Sequence, residues 1–498
     1  MLARCAGPAL YQHRPTIGDD VDLRDFIAEC ERHGDLKRVT AEVDWNLEMS
    51  HIAKLMEERD GPAVLFENVK DHPDSGSVLF GAYSNTRRLA TVLGRPADLS
   101  MVDLSYEWMR LSVGEVIRAK EVATGPVFEN TIDEDDVDIL RQIPSPKFYE
   151  RDGGRYIGTA CFMVVKDPET GEINLGTYRS QVLDERTVGA QILKGKRGDR
   201  ILQKYRKMGQ KMPICLIVGC DPLVMLAGSA MVENANEYDI VGTLRGEPVQ
   251  VVSAPLTGLP VPADAEWVLE GYIDGDNPRL EGPFGEYTGY YTEELYHPVP
   301  KPAIEVKRIH HRDDPIFLAA SVGRPVNDNH MMLAFVRNAT LWTELTKMGI
   351  PGVTSVYMPP EACGRFWAIV SVKQLYPGHA DQVAAAVIAS NTCTYGLKGL
   401  IVVDDDIKAD DLPRVWWALA TRYDAARGTQ IINRGRSTPL DPALGPDSKF
   451  ITSRIVMDAT IPFEWKEKPV QVQMSEQVLT SIKARWSELG LDTVPAAT

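Results

Sequence analysis

Two glutamates five positions apart, Glu281 and Glu286, flank a Gly-Pro-Phe-Gly core in the stretch EGPFGEYTGYY. Pro283 has a fixed φ and lacks a backbone donor, so this stretch does not continue a central strand, and the two glycines allow it to bend. On a straight strand the glutamates would point to opposite faces, whereas a bend would aim both into one cavity. In a partly dry cavity two carboxylates repel each other, so one pKa rises and that acid holds a proton near neutral pH. The structural alternative is a kinked hairpin without a chemical role.

Two upstream segments carry groups that suit an anionic ligand. In INLGTYRSQ, Asn174 offers an amide, and Arg179 offers a guanidinium fork that fits a carboxylate or a phosphate. In GKRGDR, Lys196, Arg197 and Arg200 lie around two glycines and form a cradle for a phosphate. A rim charge on a strand and a solvated basic turn are the alternatives without a ligand.

A third segment, NEYDIVG, carries two acids in front of an apolar turn. Carboxylate oxygens of Glu237 and Asp239 are the ligands that a hard cation prefers. An acid at this place also serves as a helix cap, which is the alternative.

The composition bounds the class of protein. A chain of 498 residues with 44% hydrophobic and 25% charged residues is typical of a soluble protein of two to three domains. The net charge of −16 argues against a nucleic-acid partner. We find no apolar run long enough to span a bilayer and no secretory signal, which predicts a cytoplasmic protein without a membrane partner. Cys161, Cys215 and Cys220 lie in or beside apolar runs and are expected to be buried free thiols.

The elements that must position these groups follow from periodicity. An α/β alternation is predicted first, with Asp22 as the cap of a helix that buries Leu23, Phe26, Ile27 and Cys30. From about 155 to 320 strands dominate, with one intervening helix that carries Ile201, Leu202, Tyr205 and Met208 on one side. Helices and strands alternate again beyond 325, and residues 434–473 are expected to follow the surface. The predicted parts are residues 1–115, 116–325, 326–470 and a last helix within 471–498, capped by Ser475. That helix, with Val478, Leu479, Ile482, Trp486 and Leu489 on one face, either packs on its own subunit or clasps a second one.

In order and spacing, INLGTYR, NEYDIVG and EGPFGEYTGYY resemble the UbiD-like family of reversible decarboxylases. The segments GLIVVDDDI and ATRYDAARGTQIINR extend the resemblance, which runs from about residue 22 to the end of the chain. It implies an α+β multidomain fold. A central flavin-reductase-like split β-barrel that binds prenylated FMN would lie between a small N-terminal α/β domain and a C-terminal α/β dimerisation domain. It also implies a flavin prenyltransferase as cofactor supplier and a homodimer or higher homo-oligomer.

The resemblance assigns roles residue by residue. The catalytic set is Arg179, Glu281 and Glu286, with Glu286 as the proton donor. The divalent cation (Mn²⁺ or Mg²⁺) falls to Asn174 and Glu237, and a potassium ion falls to Ser229. The cofactor contacts are Asn174, Leu175, Gly176, Thr177, Tyr178, Arg179, Lys196, Arg197, Glu237 and Lys398. The substrate pocket is formed by Tyr287, His330, Leu333, Tyr395, Thr438 and Leu440.

One position departs from the family pattern. The third metal ligand of the family is a histidine, and Arg197 occupies its place, with no histidine between His72 and His297. Because arginine stays protonated, it cannot ligate a cation. Either Asn174, Glu237 and waters hold the ion, or Arg197 neutralises the cofactor phosphate directly.

The implied activity is non-oxidative, reversible decarboxylation of an aromatic or heteroaromatic acid through a covalent adduct with prenylated FMN. The C-terminal arm RGRSTPLDPALGP is more similar to the phenolic-acid branch of the family. Two alternatives remain: an ordinary flavin oxidoreductase on the same barrel, which would not need the paired glutamates with Arg179, and a non-catalytic UbiD-like subunit.

Overall fold

The N-terminal region combines a mixed four-stranded sheet with four helices. The computed structural model describes residues 21–112, 114–230, 236–291, 299–445 and 450–491. The elements of this region are α1 (Leu23–Arg32), β1 (Leu36–Val39), α2 (Glu48–Glu57), β2 (Ala63–Phe66), β3 (Ser77–Phe80), α3 (Thr86–Val92) and α4 (Met101–Leu111). The sheet order is β1, β2, β3 and then Ile316–Leu318, a strand that arrives from much later in the chain.

The predicted first helix is confirmed, including its cap and its buried face. The Asp22 side chain accepts hydrogen bonds from the backbone N–H groups of Arg24 and Asp25, and the Asp25 side chain returns the bond to Asp22, which completes a capping box. The four predicted apolar residues of α1 are buried. Residues 1–20, predicted as a loose leader, lie outside the described residues.

The central region is built on a long, largely antiparallel sheet. Its elements are β4 (Lys120–Glu121), β5 (Asn130–Asp133), α5 (Ile139–Gln142), β6 (Cys161–Lys166), β7 (Ile173–Gly176), β8 (Thr187–Gly189), α6 (Arg197–Lys207), β9 (Met212–Val218), α7 (Pro222–Ser229), α8 (Glu237–Arg245), β10 (Gln250–Ser253), β11 (Pro260–Pro262), β12 (Trp267–Ile273), β13 (Arg279–Glu281), β14 (Val299–Lys301), β15 (Ala303–His311) and β16 (Ile316–Leu318). The main sheet has the order β5-β15-β12-β9-β6-β7, and β8 also pairs with β15. The smaller sheets are β11-β10-β4 and β13-β14.

The C-terminal region packs helices against a five-stranded sheet of order β17-β18-β19-β21-β20. Its elements are α9 (Asp328–Lys347), β17 (Val353–Tyr357), β18 (Trp367–Val372), α10 (His379–Ala389), α11 (Asn391–Thr394), β19 (Gly399–Asp404), α12 (Leu412–Thr421), α13 (Ala425–Gly428), β20 (Thr429–Arg436), β21 (Ile451–Asp458) and α14 (Glu476–Ala484). Helix α9 links this region to the N-terminal one, since Trp108 on α4 meets Phe335 on α9 edge to face with ring centroids 5.4 Å apart.

Three sequence predictions about the elements were wrong. The central region has three helices of more than one turn, α6, α7 and α8, because α7 is apolar on every side and gives no helical periodicity. Met208 follows α6 and is 51% exposed. Residues 434–473 do not only follow the surface, since β21 inserts between β19 and β20.

The last helix begins after Ser475, but the Ser475 side chain makes no capping bond. Its apolar face is open in the described structure, with Val478 at 55%, Ile482 at 39% and Leu489 at 46% exposure. Packing on the described part of its own subunit is therefore excluded as a way to cover this face.

Six cysteines, including the three singled out by the sequence, are buried free thiols, as predicted. None of the helices in the described ranges combines the length and apolarity that crossing a membrane requires.

Candidate active site

Arg179, Glu281 and Glu286 meet in the interior. The Nε atom of Arg179 donates to Oε1 of Glu281 at 2.6 Å, and Nη1 donates to Oε1 of Glu286. All three residues are at least nine-tenths buried. The guanidinium also lies 5.0 Å from the ring centroid of Phe284. The bend predicted between the two glutamates therefore exists, and it brings both carboxylates to one cation.

Backbone contacts to the bend explain why the glutamates converge. Gly282 follows the end of β13 with φ at +93°, a value that a residue with a Cβ rarely adopts. Its N–H donates to Oε1 of Gln181 at 2.7 Å, and the N–H of Gly285 donates to Oδ1 of Asp152 at 2.9 Å. Burial raises the pKa of Asp152 to about 6. Sequence reasoning did not single out Gln181 or Asp152, because neither belongs to the motif that it holds.

A cavity of about 150 Å³ opens beside this triad. Seven of the predicted site residues line it: Thr177, Tyr178, Arg179, Ser229, Glu286, Tyr287 and Leu333. Most other walls are apolar, and sequence reasoning did not find them: Met225, Phe284, Val322 and Met332. An apolar wall around a charged triad keeps the site poor in water, which strengthens its electrostatic interactions.

The predicted phosphate and metal residues gather at the start of α6 and α8. Asn174 and Glu237 are 4% and 3% exposed. Glu237 Oε2 accepts from the N–H of Leu175 at 3.1 Å, and burial raises the pKa of Glu237 to about 7. Arg197 approaches Oε1 of Glu237 with Nη1 at 3.9 Å and also donates to the carbonyl of Ile173 at 3.3 Å.

This donor set does not fit a divalent cation held by three protein ligands. A guanidinium lies where a third ligand would be needed, and its fixed positive charge repels the ion. The described residues contain no group of three or more His, Cys, Asp or Glu side chains arranged to hold a metal. Ser229 lies in the cavity wall and donates to the carbonyl of Leu226 at 2.7 Å.

The other predicted pocket residues fall into two groups. His330 supports the cavity wall from behind, because its Nε2 lies 2.5 Å from the carbonyl oxygen of Tyr287, and burial lowers the pKa of His330 to about 4. Lys398 lies 3.1 Å from Asp441. Tyr395, Thr438, Leu440 and Lys398 do not line the cavity. The Nζ of Lys196, however, lies 5.5 Å from the ring centroid of Tyr395, so these two predicted residues are neighbours.

Two cations near the site were missed altogether. Arg337 on α9 is 5% exposed and donates to the carbonyl of Thr392 at 2.9 Å. Arg365 lies over the rings of Tyr287 and Tyr395, with its Cζ 5.4 and 5.5 Å from their centroids. No local motif marks either residue.

Comparison with known proteins agrees with this architecture. The family models of 3-octaprenyl-4-hydroxybenzoate carboxy-lyase match in consecutive parts: the N-terminal domain over residues 27–108, the Rift-related domain over 119–325 and the C-terminal domain over 330–459. The chain belongs to this family, the UbiD family, and is a carboxy-lyase with a mixed α+β multidomain fold.

Solved structures of the class superpose over nearly the whole chain. The vanillic acid decarboxylase of Sedimentibacter hydroxybenzoicus, in its open form, is 30% identical with a TM-score of 0.84, covering 94% of this chain and 98% of that one. The UbiD-class enzyme HmfF of Pelotomaculum thermopropionicum, in complex with FMN, is 27% identical with a TM-score of 0.82, covering 92% and 98%. The 3,4-dihydroxybenzoic acid decarboxylase of Klebsiella pneumoniae is 22% identical and shares the fold, with a TM-score of 0.79 over 92% and 99%.

Proposed function

We propose that this protein catalyses the reversible, non-oxidative decarboxylation of an aromatic or heteroaromatic carboxylic acid with prenylated FMN as cofactor. The observation that carries the proposal is the buried Arg179 guanidinium between Glu281 and Glu286 at the wall of a largely apolar cavity. Neither alternative function explains this arrangement. An ordinary flavin oxidoreductase has no use for two carboxylates on one arginine, and a non-catalytic subunit has no reason to keep them.

The three residues divide the work. Glu281 holds Arg179 through a 2.6 Å hydrogen bond, and Arg179 orients the carboxylate that leaves as CO₂. Glu286, which lines the cavity, delivers the proton that takes the place of CO₂ on the ring carbon. In the carboxylation direction Glu286 removes that proton.

The residues around the cavity fit a flavin. No side chain can accept the electron pair left behind by CO₂, and the modified flavin supplies that electron sink when it is bound. Lys196 and Arg197 at the start of α6 would hold its phosphate, and Thr177 and Tyr178 would contact its rings. HmfF binds FMN, and an evolved dimeric form of HmfF, 27% identical to this chain, binds prenylated FMN. A flavin prenyltransferase would supply the cofactor, and the central sheet would form the split barrel.

At the phosphate end we favour direct neutralisation by Arg197 over a divalent cation. The 3.9 Å approach of Arg197 to Glu237 places a permanent positive charge beside the carboxylate that would otherwise bind the ion. Asn174 would then bind the phosphate through its amide nitrogen, which has no hydrogen-bond partner within the described ranges. Ser229 remains the candidate for potassium.

The C-terminal arm supports a homo-oligomer. Val470, Val472 and Met474 precede α14 and are 94%, 102% and 74% exposed, and they continue into the open apolar face of the helix. Large exposed apolar stretches of this kind mark a protein interface. We propose that a second copy of the chain covers the arm.

The test is an isotope-exchange screen on cofactor-loaded enzyme. The protein is co-expressed with a flavin prenyltransferase, purified anaerobically, checked by its absorbance spectrum, and incubated with aromatic acids in ¹³C-bicarbonate or D₂O. We expect carboxylate or ring-proton exchange with at least one acid. A loaded enzyme that reduces or oxidises substrates without any exchange would identify a flavin oxidoreductase instead.

A further inference from the structure

Three cations surround the ring of Tyr395. The Cζ of Arg436 lies 5.0 Å from the ring centroid, and the Cζ of Arg365 and the Nζ of Lys196 both lie 5.5 Å from it. Stacking on an aromatic face offsets part of the repulsion between neighbouring cations. We call Lys196, Arg365 and Arg436 the cation cluster.

The cluster lacks the carboxylates that normally accompany such charges. In the described part of this acidic chain, no Asp or Glu lies within 4.0 Å of the guanidinium of Arg365 or of Arg436. The Nε of Arg365 is buried without a hydrogen-bond acceptor there. By contrast, Arg422 in the same region pairs with both Asp404 and Asp406.

The charges are close enough to affect one another. The pKa of Lys196 falls to about 8, mainly through burial and further through Arg365, Arg337 and Arg436. The pKa of Arg337, behind the cluster, falls to about 9 through burial and Arg365. A positive group of this density is stabilised when an anion binds.

The cluster also adjoins the reaction cavity. Arg365 lies over Tyr287, which follows Glu286 directly and lines the cavity. Tyr287 is 6% exposed, and its hydroxyl has no hydrogen-bond partner among the described residues. An oxyanion in this place would reach the Tyr287 hydroxyl and the Arg365 fork together.

We propose that the acid handled by this site carries a second anionic group, a ring carboxylate, which Arg365 and Arg436 bind with Lys196. The inference rests on the proposed function and narrows its substrate class to aromatic dicarboxylic acids. A guanidinium fork matches the two oxygens of a carboxylate. A neutral phenol, which the phenolic branch would bring, does not require three cations.

The same chemistry would serve the flavin phosphate, which is the other source of an oxyanion here. Two observations favour the substrate. Arg365 and Arg436 belong to the C-terminal region and not to the elements that carry Asn174 and Glu237. Arg365 also contacts the tyrosine next to the proposed proton donor.

Binding measurements test the proposal without relying on turnover. Enzyme reconstituted with FMN is titrated calorimetrically with benzoate, para-hydroxybenzoate, isophthalate and terephthalate. We expect at least one dicarboxylate to bind about tenfold or more tightly than either monocarboxylate, the usual effect of one charge-assisted hydrogen bond. Arg365→Gln and Arg436→Gln should remove most of this preference while the Kd for benzoate stays within about twofold.

The matched control is Arg414→Gln, which removes an exposed arginine that lies 6.0 Å from the ring of Trp417 on α12. It should keep the wild-type preference. The exposed Arg436 keeps the test open if Arg365→Gln folds poorly.

Two results would overturn the proposal. One is equal affinity for mono- and dicarboxylates in the wild-type enzyme. The other is a preference that survives in the Arg365 and Arg436 variants while their affinity for FMN falls, which would assign the cluster to the cofactor phosphate. Preferential dicarboxylate binding without isotope exchange on any acid would support the anion site and count against the proposed decarboxylation.

Discussion

Nε of Arg179 donates to Oε1 of Glu281 at 2.6 Å although 102 positions of sequence separate the two residues. The same guanidinium donates to Glu286 on the far side of the bend at Gly282. One arginine therefore holds two carboxylates in different surroundings, and only Glu286 reaches the cavity. This difference assigns positioning to Glu281 and proton transfer to Glu286.

The Glu286→Gln variant should lose turnover and keep its cofactor. Glutamine preserves the shape and a hydrogen-bond acceptor for Arg179 but cannot deliver a proton, so we expect turnover to fall about a hundredfold or more. Steady-state decarboxylation and ring-deuterium exchange measure the loss, and flavin absorbance measures cofactor retention. Full turnover by this variant would remove Glu286 from the mechanism.

The Glu281→Gln variant should act through Arg179. With the charge of Glu281 removed, the guanidinium shifts towards Glu286 and no longer presents itself to the substrate, so we expect KM to rise together with a fall in kcat. The control is Glu270→Gln, another buried glutamate, which contacts His310 at 2.8 Å outside the cavity. It should lower the melting temperature without raising KM, and the same rise in KM in both variants would contradict the positioning role.

Arg197→His should create a metal site that the wild type lacks. An imidazole beside Asn174 and Glu237 completes a three-ligand set, so we expect one Mn²⁺ per subunit in the flavin-loaded variant and little retained Mn²⁺ in the wild type. Metal analysis after gel filtration measures both. Arg197→Gln is the control without an imidazole. One tightly bound Mn²⁺ per wild-type site, unchanged in Arg197→Ala, would refute direct phosphate neutralisation by Arg197.

His330 should make the fold sensitive to acid. Burial lowers its pKa from 6.5 to about 4, so between these values the unfolded chain binds a proton that the folded chain does not. Stability is complete above pH 6.5 and is lost as the pH falls, by about 3 kcal/mol of unfolding free energy at pH 4. Denaturant unfolding across this range should show a shallower pH slope for His330→Gln. The exposed His51→Gln should keep the wild-type slope.

The apolar face of α14 should hold the oligomer together. Val478→Asp with Ile482→Asp places charges on that face, and we expect a smaller mass by light scattering with unchanged helical content. Thr480→Asp, on the opposite side of the helix, is the control. If the double variant keeps the wild-type mass, another surface forms the assembly.

The sequence by itself determined much of the local architecture. The capping signal at Asp22 and the periodicity of the following apolar residues predicted α1 correctly, because caps and amphipathic faces are encoded within a few positions. The Gly-Pro-Phe-Gly core indicated a bend between two carboxylates for the same reason. The order of the three motifs indicated the family.

Only the tertiary structure decided which distant groups meet. Ile316–Leu318 joins the N-terminal sheet, β21 enters the C-terminal sheet, and Gln181 and Asp152 hold the bend from other segments. Arg365 becomes part of a cation cluster only because chain folding places it against Tyr287 and Tyr395. Such contacts carry no periodic or capping signal, since their free energy comes from burial and charge between segments that are far apart in the chain.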